Sequence, residues 1–226
     1  MNKKIFSVLL VAVITASYVQ AQFTFGARAG FSPTNVSLKY DGKKPEGDVK
    51  PKYKPGFQIG VVGEYGISDN FAIQPGILFA TQGYKMGPSE ILVEDVVVAW
   101  LRVTVNINYL QIPVYAQYKM DLGSSALLLQ AGPYIGYAFG GKINSEFSYR
   151  PDGTDFGGEK TDLKFGSKED QISPFDFGLG LGVGLQIDAI QFGLRYQHGL
   201  ANLYNIEKMT MNNRGFAITA SYFFGK

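Results

Sequence analysis

His198 is the only histidine in a chain of 226 residues that contains no cysteine. Acid–base chemistry near neutral pH therefore has one natural starting point. With Asp170, Ser173 and Asp176 on a facing segment, His198 could supply the base of a hydrolase, which needs base, orienting partner and nucleophile held together. No signature sequence surrounds it, and a solvated loop histidine is the preferred reading. A second constellation is Arg28, Glu64, Asp176 and Arg195, four ionisable residues that the strand pattern below sets on one face. They could form a gate or selectivity ring, or a charge network across a filled interior. The filled interior is preferred, because an unpaired buried charge is costly. Between residues 148 and 173, Asp152, Asp155, Glu159, Asp162, Glu169 and Asp170 mix with Lys160, Lys164 and Lys168. The regular Asp/Asn ladder of a calcium loop is missing there, so a hydrated loop is expected, and no metal or cofactor.

The elements that position these residues follow a two-residue alternation, the mark of strands with two different faces. Phe23, Phe25, Ala27, Ala29 and Phe31 alternate with Thr24, Gly26, Arg28 and Gly30. Phe57, Ile59, Val61, Gly63 and Tyr65 oppose Gln58, Gly60, Val62 and Glu64. A third strand covers about 71–84, with facing left open. Leu110, Ile112, Val114, Ala116 and Tyr118 oppose Tyr109, Gln111, Pro113, Tyr115 and Gln117. Further strands are read over 127–139, 175–187, 190–197 and 216–224, giving eight. The clearest sets Phe175, Phe177, Leu179, Leu181, Val183, Leu185 and Ile187 against Asp176, four glycines and Gln186.

Connection lengths decide what the apolar faces meet. Tight turns at 66–70, 121–125 and 188–189 alternate strictly with long connections at 32–53, 86–105, 140–173 and 198–213. A soluble sandwich has irregular links. An up-and-down antiparallel transmembrane β-barrel has short periplasmic turns and long extracellular loops, and aromatic girdles near strand ends. Phe23, Phe31, Tyr65, Tyr118, Phe139, Phe175, Tyr196 and Phe224 lie near such ends. The fold expected is thus all-β, a transmembrane barrel of about eight strands with apolar residues facing lipid. Eight strands leave room inside only for their own side chains.

The N-terminus agrees. Lys3 and Lys4 precede an apolar run from Ile5 to Ile14, and small residues end at Ala21, the pattern of a signal peptide over 1–21 with a barrel domain over 22–226. The run is too short for a spanning helix, which takes roughly 20 residues. Removing Lys3 and Lys4 takes the formal charge of +2 to about zero, which leaves a nucleic-acid partner without electrostatic support. Lys39, Lys43, Lys44, Lys50, Lys52 and Lys54 make the first loop basic. They could touch lipopolysaccharide phosphates, or only keep the loop soluble. Within 91–107 the apolar set falls on odd positions (Val97, Ala99, Leu101, Val103, Val105, Ile107), whereas in the strand that follows it is even. Strands that extend past the membrane, or meet a bulge, would bury this face in the loop cap; a helix over 89–101 is the alternative. Left uncovered, Val97, Ala99, Leu101 and Val103 would be a partner surface.

Asn108-Tyr109-Leu110-Gln111-Ile112-Pro113-Val114 resembles a strand of the Bacteroidetes outer-membrane β-barrel family, porin-like or PorT-like. Gly26-Ala27-Arg28-Ala29-Gly30-Phe31 and the glycine-alternating 178–184 are similar to that family too. The resemblance implies an outer-membrane barrel and no defined activity. The last strand departs from a terminal aromatic, because Gly225 and Lys226 follow Phe224. The expectation is a non-enzymatic barrel with a filled lumen, a structural, adhesive or accessory envelope component acting through extracellular loops. Its partners would be outer-membrane lipid, lipopolysaccharide and envelope proteins. A narrow solute channel and a rim-active hydrolase are the alternatives.

Overall fold

A computed structural model describes residues 23–44, 50–93, 96–148, 157–168, 171–204 and 206–225, with backbone alone over 91–93 and 96–98. The expected signal segment 1–21 lies outside these residues, as do Asp152, Asp155, Glu169 and Asp170. The strands are β1 (Phe23–Phe31), β2 (Thr34–Tyr40), β3 (Phe57–Gly66), β4 (Phe71–Val93), β5 (Val96–Asp121), β6 (Ala126–Ser148), β7 (Gly157–Asp162), β8 (Phe175–Ile187), β9 (Ile190–Gly199) and β10 (Met209–Phe224). All pairings between them are antiparallel. The order β1-β3-β4-β5-β6-β8-β9-β10 returns to β1 through Phe25 opposite Phe224 and Ala29 opposite Ala220. Eight strands thus close a ring, which leaves no open edge along that stretch.

The ring is inside-out. Phe25, Ile59, Ile77, Ile135, Leu181 and Ile218 are each more than half exposed, while Arg28, Gln74, Gln111, Gln117 and Arg195 are buried inside. An exposed apolar belt of this extent is foreign to water and suits hydrocarbon. Aromatic ring pairs mark its two margins. Phe57–Phe79, Phe79–Phe139, Tyr137–Phe175 and Tyr196–Phe216 lie at the long-connection end, and Phe71–Tyr118 and Tyr222–Phe224 at the short-turn end. The turn between β8 and β9 has only two residues. Asp188 takes φ 50 there, as the favoured two-residue hairpin turns require.

β2 and β7 fall within segments read from sequence as loops, and β4, β5 and β6 run far beyond their expected ends. Most of 86–105 is a continuation of the β4–β5 ladder, with Lys85 opposite Thr104 and Ser89 opposite Leu101. The described residues of 89–101 are strand, not helix. The reason is a polarity exchange. On β5 the odd side chains from Val103 to Gln117 face inward. They are polar or aromatic at Gln111, Tyr115 and Gln117, and become apolar at Ile107, Val105 and Val103. The even, outward side chains change the other way, from Leu110 to Asn108, Asn106 and Thr104. A register shift against β6 sits at that same point, between Asn108 and Tyr109. The strand keeps its facing while its solvent changes.

β4 explains its own unclear alternation. Gln74 and Gly76 face inward, and so do the apolar Leu78 and Ala80. Leu78 packs inside the ring with Val62 and Phe223.

Candidate functional site

The lumen contains two successive plugs of opposite character. The lower one is polar. Arg28 Nε donates to Ser221 Oγ at 2.8 Å and its Nη2 donates to Gln74 Oε1 at 2.5 Å. Gln74 Nε2 donates to Gln191 Oε1 at 3.0 Å and approaches Glu64 Oε2 at 3.5 Å. Glu64 Oε2 also accepts from Gln191 Nε2 at 2.7 Å and Gln117 Nε2 at 3.1 Å. Arg195 Nε donates to Gln130 Oε1 at 2.9 Å, and Gln130 Nε2 donates to Gln117 Oε1 at 2.6 Å. The two guanidiniums therefore reach the one carboxylate of this tier through carboxamides. An amide suits this place because it accepts and donates at once.

The glycines of β8 make room for the bulk of the plug. A Cβ at Gly180 would stand 2.6 Å from the Tyr115 hydroxyl, one at Gly182 2.7 Å from Arg195 Cγ, and one at Gly178 2.8 Å from Tyr134 Cε1. Tyr115 fills the space so left. It accepts from Gln197 Nε2 at 2.9 Å, and the Arg195 guanidinium lies 5.3 Å from its ring centre.

Of the four charges singled out in the sequence, the structure gathers Arg28, Glu64 and Arg195 and sets Asp176 apart, one tier higher. Asp176 Oδ2 accepts from Tyr134 Oη at 3.2 Å and Asn213 Nδ2 at 3.0 Å, and Asn213 also reaches Tyr109 Oη. At this level Ser32 Oγ, Gln82 Oε1, Gln111 Nε2, Asn213 Oδ1 and Arg214 Nε are buried without a protein partner. All five residues line one cavity in which a water centre has about 10 Å³. That volume admits one water, which can serve at most four of these five atoms.

The upper plug is apolar. Val36, Tyr84, Val105, Ile107, Tyr109, Ala138, Ile172, Leu203 and Met211 form one buried cluster, with Val103, Ile143, Leu163 and Phe165 packed on it. Ile172 and Leu203 come from connections rather than ring strands. Backbone bonds hold them in the mouth: Ile172 N to Lys164 O at 2.9 Å, Ser173 N to Leu203 O at 2.8 Å, and Leu203 N to Met211 O at 2.8 Å. Burial raises the pKa of the Tyr84 and Tyr204 phenols, which share a hydrogen bond here. At the opposite, short-turn end the lumen opens into a vestibule of about 610 Å³, with Glu64 and Gln117 at its floor and Ser68, Asp69, Lys119 and Asp188 at its rim.

Of the other residues singled out, Ala99 is buried and Val103 packs on the apolar plug, so this hairpin turns its apolar side inward. Leu101 is half-buried, and the side chain of Val97 lies outside the described residues. His198 is exposed on the outer wall, its ring stacked 6.4 Å from that of Tyr196. Asp176 is buried on the inner face. Among the described residues no group of three or more His, Cys, Asp or Glu side chains is placed to hold a metal. The alternation reads the glutamines and tyrosines of the lower plug as the inner face but not as its connectors; Gln74 in particular sits in the strand whose facing the sequence leaves open.

The solved structure of Ail from Yersinia pestis, in complex with the heparin analogue sucrose octasulfate, is 14% identical. The match covers 90% of this chain and 99% of that one, with a TM-score of 0.40. Neisserial surface protein A is 12% identical over 88% of this chain and 96% of that one, also at 0.40. The N-terminal β-barrel domain of Pseudomonas aeruginosa OprF is 10% identical over 87% and 97%, at 0.31. No curated protein sequence matches. The family described as outer membrane protein beta-barrel domain matches residues 18–205, most of the chain. The protein belongs to that family, and its place is the outer membrane.

Proposed function

We propose that this protein is a sealed, non-enzymatic transmembrane barrel, acting through its long-hairpin end as a structural, adhesive or accessory component of the envelope. In this reading residues 1–21 are a removed signal peptide, the short turns face the periplasm and the long hairpins face outward. The Bacteroidetes porin-like or PorT-like group is the branch we assign it to. Its surroundings are outer-membrane lipid and lipopolysaccharide, and envelope proteins would meet the outer hairpins.

One observation carries the sealed reading: the apolar cluster around Ile107, Leu203 and Met211 closes the mouth above the polar plug. Ions cross neither a dry apolar stopper nor a guanidinium–carboxamide network that fills an eight-stranded lumen. The refolded mature chain in a planar bilayer is expected to be electrically silent. Steady, ion-selective openings from correctly folded protein would overturn the reading.

The vestibule of about 610 Å³ beneath Glu64 favours a second reading, a narrow channel for small solutes. It predicts a conductance that changes on replacing Arg28 or Arg195. A rim hydrolase would lose its activity in His198→Ala.

A further inference from the structure

The outer wall above Phe79 and Phe139 carries a polar surface that neither plug uses. Across hydrogen-bonded neighbours at one height, Lys52 stands opposite Lys85, Lys85 opposite Thr104, Thr104 opposite Asn144 and Asn144 opposite Lys160. Three ammonium groups, a hydroxyl and a carboxamide share this row with no carboxylate in it. At about 4.8 Å between strands the row spans roughly 19 Å. Two residues lower, Asn106 faces Lys142 and Lys142 faces Asp162; lower again, Asn108 faces Gly140. Between the rows lies a groove of about 510 Å³, lined by Asn106, Asn108, Lys142, Asn144, Lys160 and Asp162. Lys142 and Asp162 lie 3.9 Å apart with both side chains largely exposed, a weak pair. Lys52 Nζ donates to Gly87 O at 3.1 Å.

The height of this surface identifies its ligand. Among the described side chains of its strand Leu110 is the last exposed large apolar residue toward the long-hairpin end, next to the exposed Phe139. At about 3.3 Å per residue and a tilt near 40°, Asn108, Asn106 and Thr104 stand roughly 5, 10 and 15 Å above it. Headgroups occupy about 5–8 Å beyond the hydrocarbon on each side, and a sugar headgroup extends further.

We propose that this wall binds the phosphorylated sugar headgroup of an outer-leaflet glycolipid. Lys85, Lys142 and Lys160 meet its phosphates as point charges. Asn106, Asn108 and Asn144 meet sugar hydroxyls, which donate and accept as a carboxamide does. The acyl chains lie on Phe79, Leu110 and Phe139 below. The assignment rests on the long-hairpin end facing outward, as proposed above, and is independent of conductance, so a conducting lumen would leave it standing.

The test is native mass spectrometry of the full mature protein in detergent, titrated with a bis-phosphorylated diglucosamine glycolipid, with the same glycolipid stripped of phosphate, and with inorganic phosphate. The phosphorylated form is expected to be retained about tenfold more strongly than the stripped form. Lys85→Gln/Lys142→Gln/Lys160→Gln is expected to lose that preference while keeping the heat-dependent gel mobility of a folded barrel. Equal retention of the two glycolipids by the unmodified protein overturns the proposal, as does an unchanged preference in the triple variant. Displacement by millimolar inorganic phosphate overturns the glycolipid in favour of free phosphate. The comparison on unmodified protein needs no variant, so it decides the matter even if the triple substitution blocks folding.

Discussion

Arg28 and Gln74 lie side by side in the middle of the ring, the guanidinium Nη2 donating to the carboxamide oxygen, with both side chains hidden from solvent. Gln74 Nε2 meanwhile serves Gln191 and faces Glu64. One uncharged residue thereby links a cation to an anion. Gln74→Leu would leave the Arg28 Nη2 and a Gln191 oxygen short of a partner. We expect a loss of about 3 kcal/mol, the order seen when a buried charged group loses its hydrogen bond. A lowered urea midpoint of the refolded protein would show it; an unchanged midpoint would mean that the plug contributes nothing to stability.

Gly180 and Tyr115 share one space. Because a Cβ at 180 would stand 2.6 Å from the Tyr115 hydroxyl and 2.8 and 3.1 Å from two of its ring carbons, Gly180→Val should push the phenol off Gln197. Overpacking of this kind costs about 1–3 kcal/mol. Gly180→Val combined with Tyr115→Phe should recover less than Gly180→Val with Tyr115→Ala, since Phe removes the hydroxyl but keeps the ring carbons that are also in conflict. Urea midpoints of the four proteins measure this.

Leu203 anchors a connection rather than a ring strand. Leu203→Ala should cost about 2–4 kcal/mol in the apolar plug, and the loss should stay local. Faster protease cleavage within 200–206 is expected, with the heat-dependent gel shift intact. Global unfolding instead would show that the upper plug and the ring form one cooperative unit.

Lys54 is buried beside the ring mouth, and burial, followed by the nearby Lys85, lowers its pKa below 10.5. The folded state thus disfavours the ammonium. Below the lowered folded value both states hold the proton and the penalty is fully present. As pH rises through that value the folded state sheds its proton first, and the penalty is gone above 10.5. Stability should therefore rise over this alkaline window, measured as the urea midpoint against pH. Lys54→Met should remove this contribution and be more stable at pH 7.

The ring was legible because its residues obey one rule: Phe175 to Ile187 are apolar at each odd position, and the intervening glycines and Gln186 are not. Where the rule bends, so did the reading. Leu78 and Ala80 put apolar groups on the inner face, which hid the facing of β4 and with it Gln74. Above Tyr109 the two faces exchange polarity, so strand ladders resemble loops under the rule that apolar residues point outward. The odd apolar set from Val97 to Ile107 was the visible trace of that exchange. Asp176 shared the inner face with Arg28 but not its height, and height follows from register between strands, which one strand's pattern does not contain. Leu203 and Ile172 reach the stopper only through connections with no periodicity of their own.

The exchange at Asn108 and Tyr109 also works as a waterline. Sinking the protein by one pair of residues would carry Asn108 and its neighbours into oil; raising it would bring Leu110 and Phe139 up into water. Both displacements are uphill, since polar groups in hydrocarbon and bare apolar faces in water are each penalised. The draught of the molecule is thus fixed to within a rung of its own ladder. In a thinner or thicker leaflet the lipid must stretch or compress to meet it, and the long hairpins keep their elevation above that line.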